Sequence, residues 1–176
     1  ELVTGLNTRA RTDLILDGVV QGPREADLHD GTRAAIGDVV ITRRNDRRLR
    51  AGRGWVRNGD RWNVIDVRND GSIALQRPGA RWGATVIVPA DYVAEHVELG
   101  YAVTSYRAQG ITTDTAHVLV DSAMTRENLY VAMTRGRDAN IAYVAVDQPD
   151  AAHDVPHPGD NQAATGRSDP YGVLQH

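Results

Sequence analysis

Hydrophobic and polar positions change rhythm twice along the chain. From Gly37 to Val88, short β-branched and aromatic runs alternate with turn residues. The runs are Asp38-Val39-Val40-Ile41-Thr42, Trp62-Asn63-Val64-Ile65-Asp66-Val67, Ser72-Ile73-Ala74-Leu75-Gln76 and Thr85-Val86-Ile87-Val88. Asn58-Gly59-Asp60 and Asn69-Asp70-Gly71 between them are turn chemistry. Four or five strands packed into about 55 residues predict a small antiparallel barrel rather than βαβ units. Pro89 to Val93 leads out of it into a short helical turn.

After Leu99 the period changes again. Tyr101-Ala102-Val103-Thr104 and His117-Val118-Leu119-Val120 read as buried strands, Thr125 to Arg137 as a helix, and Ile141 to Val146 as a strand. Strand, helix and strand in quick succession predict a parallel α/β sheet. Ahead of the barrel, Asn7 to Gly18 opens on a good N-cap residue and closes on a glycine, which predicts a helix. Gly22 to Ile36 reads as polar and irregular. Beyond Gln148 lie four of the seven prolines and no apolar period, the pattern of a disordered linker. The expected architecture is an α/β domain in two pieces, 1–36 and 99–147, interrupted by a barrel at 37–98 and followed by a linker at 148–176.

Composition narrows the function classes. Of the 176 residues 41% are hydrophobic and 24% charged, as in an ordinary soluble domain. No run approaches the roughly 18 apolar residues that mark a membrane span, and no cationic, apolar leader is present, so a cytoplasmic location is expected. The first residue is Glu1 rather than Met, as in an excerpt of a longer protein. Cysteine is absent, which excludes disulfides and thiolate metal sites. The pair His153-x-x-x-His157 has helical ligand spacing but sits beside Pro156 and Pro158, so no metal site is expected.

All 20 basic residues are arginine. A P-loop needs a lysine to reach the β- and γ-phosphates, and no G-x-x-x-x-G-K-[ST] occurs here, so this chain cannot hold a nucleoside triphosphate in that way by itself. The net charge of −3 is unevenly spread. Gly37 to Trp62 carries eight Arg against three Asp, whereas Gln148 to His176 carries four Asp against one Arg. A basic segment within a mildly acidic protein is the footprint of a polyanion partner or a solvated arginine-rich loop. Arg43, Arg44, Arg47, Arg48, Arg50 and Arg53 cluster near Trp55 and Trp62, which are either stacking platforms for bases or barrel core.

Two further stretches carry chemistry. Tyr101-Ala102-Val103-Thr104-Ser105-Tyr106-Arg107-Ala108-Gln109-Gly110 delivers hydroxyls, an arginine and an amide at the C-terminal end of an expected strand, where open parallel sheets bind ligands. Hydroxyls and arginine suit phosphate oxygens, and Gly110 permits close backbone approach. The second stretch is Glu127-Asn128-Leu129-Tyr130-Val131-Ala132-Met133-Thr134-Arg135-Gly136-Arg137-Asp138. On a helix, Leu129, Met133 and Gly136 share a face, while Arg135 and Arg137 diverge, so only one of them reaches a given phosphate.

Together, in this order and spacing, the two stretches resemble motifs V and VI of superfamily-1 DNA helicases. The flanking Leu99-Gly100-Tyr101-Ala102 and Thr112-Thr113-Asp114-Thr115-Ala116-His117 are similar to conjugative relaxase-helicases of the TraI/TrwC type. So are Gly37 to Asp46 and Arg57-Asn58-Gly59-Asp60-Arg61-Trp62. The resemblance implies the second RecA-like domain of such a protein, of parallel-sheet P-loop NTPase type, interrupted by an SH3-like barrel. It implies that Arg135 is the arginine finger on the γ-phosphate of ATP and that Gln109 and Gly110 couple nucleotide to DNA. It further implies that Thr104 and Arg107 touch single-stranded DNA, with Tyr106 beside them able to stack or donate; Arg43, Arg44, Arg47 and Arg48 of the barrel are, from their charge, the other candidate DNA surface. Position 106 departs from the motif, with tyrosine where histidine is common. ATP and Mg would be bound mainly by a first RecA-like domain elsewhere in the polypeptide, beyond which a relaxase domain is the expected partner, and this chain alone would hold neither. A non-catalytic strand-binding module of a relaxase with a degenerate helicase domain is the alternative reading.

Overall fold

The computed structural model describes residues 2–79 and 85–144. Helix α1 (Leu2–Leu16) is followed by strands β1 (Gln21–Asp27) and β2 (Arg33–Ile36). Then come β3 (Val39–Thr42), β4 (Asp46–Ala51), β5 (Gly54–Val56), β6 (Arg61–Val67), β7 (Ile73–Gln76) and β8 (Thr85–Val88). Helix α2 (Ala90–His96) leads into β9 (Val97–Leu99), and the described part closes with β10 (Thr113–Val120), α3 (Arg126–Met133) and β11 (Gly136–Val144).

The barrel is built on a five-stranded antiparallel sheet in the order β8-β7-β6-β3-β9, with two separate ribbons, β1-β2 and β4-β5. Alternation decides what faces inward. Trp62 and Val64 of β6 are buried, and a register shift at Ile65 then turns Val67 inward in place of Asp66. Trp62, Ile73, Leu75, Val40, Val56, Val88 and Val97 form a closed core, each large side chain contributing about 1.5–3 kcal/mol on leaving water. Trp62 is therefore core, not a stacking platform, and its indole Nε1 donates to Thr42 Oγ1 at 3.3 Å. Gly37 marks the entry to the barrel. Its φ is +94°, and a Cβ there would lie 2.2 Å from the Val19 carbonyl oxygen, so only glycine fits.

The α/β part is a βαβ unit. β10 and β11 pair in parallel from Thr113–Gly136 to Val120–Val144, with α3 as the crossover. The Thr125 side chain caps α3 by accepting from the Asn128 amide at 3.3 Å. Parallel α/β sheet and antiparallel barrel thus both occur as the residue pattern predicts.

Several elements differ from that pattern. The stretch 22–36 is a hairpin, not irregular: β1 and β2 pair antiparallel, and the small side chains of Ala26, Ala34 and Ala35 allow close packing, Ala34 and Ala35 on opposite faces of β2. Arginine-rich residues 46–56 form the β4-β5 ribbon. Helix α1 begins before Asn7, which is not its N-cap but a buried residue within it. Tyr101 to Thr104 is not a strand but bends at Tyr101 and continues without regular structure, and Thr104 is exposed. Helix α3 ends at Met133, so Arg135 and Arg137 lie beyond it, and β11 starts at Gly136, five residues before the expected strand. The expected linker at 148–176, with His153 and His157, lies outside the described residues.

Candidate functional site

The entry to the first motif is anchored by one asparagine. Asn7 Oδ1 accepts from the backbone N–H groups of Tyr101 and Ala102 at 3.0 and 2.8 Å, and its Nδ2 donates to the Ala102 carbonyl at 3.1 Å. Two successive N–H groups converge on one oxygen at the bend of Tyr101, so the Asn7 side chain satisfies backbone groups of a segment that is not a strand. A second joint lies beside it. Asp38, fully buried, accepts from Tyr101 Oη at 2.6 Å, from Arg11 Nε at 2.8 Å and from the Ala35 amide at 2.7 Å. Arg11 continues to Glu25 at 2.6 Å. Burial opposes charge on Arg11, but its bonds to Asp38 and Glu25 outweigh that and raise its pKa; the bond from Arg11 in turn holds Glu25 below the usual carboxylate range. Helix α1, the barrel and the start of the motif are thereby tied into one polar network. Neither Asn7 nor Asp38 stands out as a site residue in the sequence, since both types are common at caps and turns.

From this anchor the chain runs into the turns of Thr104 to Gly110. Thr104 Oγ1 accepts from the Arg107 amide at 3.3 Å, and Gly110 adopts φ +79°. Thr104, Tyr106, Arg107, Gln109 and Gly110 all reach solvent, Tyr106 with 74% of its surface. Arg107 Nη1 donates to Glu98 Oε2 at 2.9 Å. Arg43 Nε lies 3.0 Å from the same oxygen, so a barrel arginine and a loop arginine meet on one carboxylate of β9.

The second motif meets the end of this loop. Arg135 folds back over the last turn of α3: Nε donates to the Val131 carbonyl at 2.8 Å and Nη2 to Thr134 Oγ1 at 2.9 Å. Its Nη1 donates to the carbonyl of Ile111, the residue after Gly110, at 3.4 Å, and its own carbonyl accepts from Thr113 N at 3.0 Å. No carboxylate among the described residues pairs with it. Arg137, by contrast, pairs with Asp114 at 2.9 Å. Divergence on a helix cannot choose between the two arginines, since neither is helical; the ion pair separates them instead.

The barrel arginines are not equivalent. Arg43 is mostly enclosed and bound to Glu98, Arg48 pairs with Asp46 at 3.1 Å, and Arg44 contacts His96 Nε2 at 3.1 Å. Arg47 and Arg57 both lie over the ring of half-buried Trp55, at 5.6 and 5.1 Å from its centroid. Among the described residues no carboxylate pairs with Arg47, Arg50, Arg53 or Arg57. Much of the uncompensated barrel charge therefore lies in and beside the β4-β5 ribbon that carries Trp55, with Arg44 and Arg61 also free of a carboxylate among the described residues. No group of three or more His, Asp or Glu among the described residues is placed to hold a metal ion, and no described helix is long and apolar enough to cross a membrane.

Known proteins are similar to parts of this chain. Residues 27–98 match the family model of the Rv2311 SH3-like barrel domain. Rv2311 of Mycobacterium tuberculosis is 42% identical over 90 residues, 51% of either chain. The conjugal transfer protein TraA of Sinorhizobium fredii is 31% identical over 142 residues, 80% of this chain but 12% of TraA. The chain is a relative of the TraA conjugal transfer proteins over most of its own length. Its fold agrees: a Bacteroides Pif1 structure bound to single-stranded DNA superposes with a TM-score of 0.52 at 17% identity, covering 76% of this chain and 38% of that one. The resemblance read from motifs V and VI and from the barrel is borne out, although the chain spans about half the length of Rv2311 and about an eighth of TraA.

Proposed function

We propose that the chain is the strand-gripping and hydrolysis-sensing part of an ATP-dependent DNA helicase within a conjugative relaxase, acting in the cytoplasm. The division into 1–36, 37–98 and 99–147, with barrel and α/β pieces in one working unit, belongs to this reading. ATP and Mg would be bound by a preceding RecA-like domain that carries the P-loop lysine missing here. The observation that carries the proposal is the contact of Arg135 with the Ile111 carbonyl, which ties the γ-phosphate sensor to the loop expected to hold DNA.

The chemistry follows from that contact. A guanidinium bonded to neutral carbonyls and a hydroxyl keeps its full charge for a phosphate across a domain cleft. When Arg135 swings to the γ-phosphate it gives up Ile111, and the loop from Thr104 to Gly110 loses one of its fixed ends. Hydrolysis is then felt at the gripped strand through Gln109 and Gly110. In the intact protein Arg135→Ala should lower DNA-stimulated ATPase by about 10³-fold or more while nucleotide binding is mostly kept. Near-normal hydrolysis in that variant would sink the assignment.

A further inference from the structure

The meeting of Arg43 and Arg107 on Glu98 has the composition of a phosphate subsite. Two guanidinium groups share one carboxylate oxygen, at 3.0 and 2.9 Å, so the triad carries one uncompensated positive charge. Its two arginines are differently placed. Arg43 is fixed, its side chain 15% exposed and held by the barrel; Arg107 is 44% exposed and stands on the loop of turns. Arg43 also has an unfilled bonding position, since its Nη2 is buried with no partner among the described residues. Nε and Nη2 form one edge of the guanidinium fork, the edge that grips both oxygens of a carboxylate in a bidentate pair. Only the Nε half of that edge is in use.

We infer that Arg107, Glu98 and Arg43 form a phosphodiester subsite at the junction of barrel and loop, in which Glu98 is a positioning residue that competes with the strand for Arg107. An incoming phosphate takes Arg107; Glu98 then turns wholly to Arg43, whose vacant Nη2 receives its second oxygen. The carboxylate is never left unpaired, so the exchange costs little in desolvation. A grip opposed by an internal carboxylate is weaker than a bare arginine would give, and it releases more easily, as stepping along a strand requires. The inference rests on the strand-binding reading of loop 104–110 and adds to it a role for Glu98.

The test is fluorescence anisotropy of the full chain with a labelled oligothymidylate at low salt, repeated across a salt series. Glu98→Gln removes the competitor and should tighten binding about twofold to fivefold, the fold-change expected of an ion pair of this exposure. Arg107→Gln should weaken binding and reduce the slope of log affinity against log salt by about 0.7, one single-strand phosphate contact. In the Arg107→Gln background, Glu98→Gln should have no further effect. A merely structural Glu98, or one that acts through net charge, would shift affinity alike in both backgrounds, and that result would overturn the inference. Glu98→Asp keeps the charge but shortens the reach, and should tighten binding in the same direction if Glu98→Gln does not fold. Absence of any binding by the unsubstituted chain would remove the strand-binding reading and this inference with it. Binding that both Glu98 variants leave unchanged would overturn the inference alone.

Discussion

Tyr101 donates its phenolic proton to Asp38 across 63 positions of sequence, at 2.6 Å. The bond joins the first residue of the motif V approach to the first polar residue of the barrel, and Asp38 has no exposure to water with which to replace it. Tyr101→Phe should therefore cost about 1–3 kcal/mol in urea denaturation, the range for leaving a buried polar group short of a partner. Asp38→Ala should cost more, about 3–5 kcal/mol, because Tyr101, the Ala35 amide and Arg11 lose one shared acceptor together, and Arg11 keeps only Glu25. The two changes should be non-additive in the double variant, since both act on one network.

The same network sets a dependence on pH with two signs. Burial, then the bond to Asp38, raises the Tyr101 pKa well above its ordinary value of 10.0. The folded state thus keeps a proton that the unfolded chain loses. Stability from this group is full below about pH 10 and falls as pH rises above it. Glu25 behaves oppositely. The bond from Arg11 lowers its pKa from 4.5, so its contribution is present above that value and is lost as pH falls below it. Melting temperatures across pH should decline at both ends. Tyr101→Phe should flatten the alkaline decline, while Glu25→Gln should flatten the acid one.

A third prediction concerns Asn7. Its amide makes three bonds to the backbone of Tyr101 and Ala102. Asn7→Ala should expose those amides, and hydrogen exchange should speed up at 101–110 before the barrel strands are affected. Asn7→Asp should lose less, because a carboxylate still accepts both N–H groups while failing to donate to the Ala102 carbonyl. Equal exchange in wild type and Asn7→Ala would show that the segment is held by something else.

These anchors also show where the residue pattern stops being readable. Trp62, Val64, Ile73, Leu75, Val86 and Val88 alternate or cluster as barrel strands must, so their period betrays them. Thr125 announces α3 by its cap. Asn7 has the residue type of a cap and is readable only as one, because the backbone groups its side chain satisfies lie 94 positions away. The strands of hairpin β1-β2 bury only alanines, two of them adjacent and on opposite faces, and show no apolar rhythm at all. The chemistry of motifs V and VI is legible because it resides in residue types at fixed spacing. The sharing of Glu98 by Arg43 and Arg107 is not, since it follows from the path of β9 beside β3.

The uneven pairing of barrel charge leads to a fourth prediction. Arg43 and Arg48 are ion-paired, whereas Arg47, Arg50, Arg53 and Arg57 gather around Trp55 without carboxylates. Replacing the latter four together by Ala should weaken binding of an oligothymidylate and lower the salt slope by about 0.7 for each phosphate no longer neutralised. Melting temperature should change little. Replacing Arg43 alone should instead lower the melting temperature, because Glu98 loses its enclosed partner. An unchanged affinity in the fourfold variant would exclude the β4-β5 ribbon as the polyanion surface.

The last prediction tests the turn that sets Arg135 in place. Helix α3 must stop, and the chain must enter β11 at Gly136 directly beside Thr113. A Cβ on Gly136 would lie 2.0 Å from the Ala139 carbonyl oxygen and 2.9 Å from the Ala116 amide nitrogen, both backbone atoms that cannot rotate away. Gly136→Ala must therefore part β10 from β11 at their first pair, and with it the bond from Thr113 N to the Arg135 carbonyl. The barrel core, built from residues far from this turn, has no reason to respond. Hydrogen exchange should rise at 113–117 and 136–140 while the amides of β6 and β7 stay protected. In the intact protein the same change should lower ATPase nearly as far as Arg135→Ala, since the guanidinium would remain but no longer be aimed. If Gly136→Ala left ATPase intact, the placement of Arg135 by this turn would be irrelevant to catalysis.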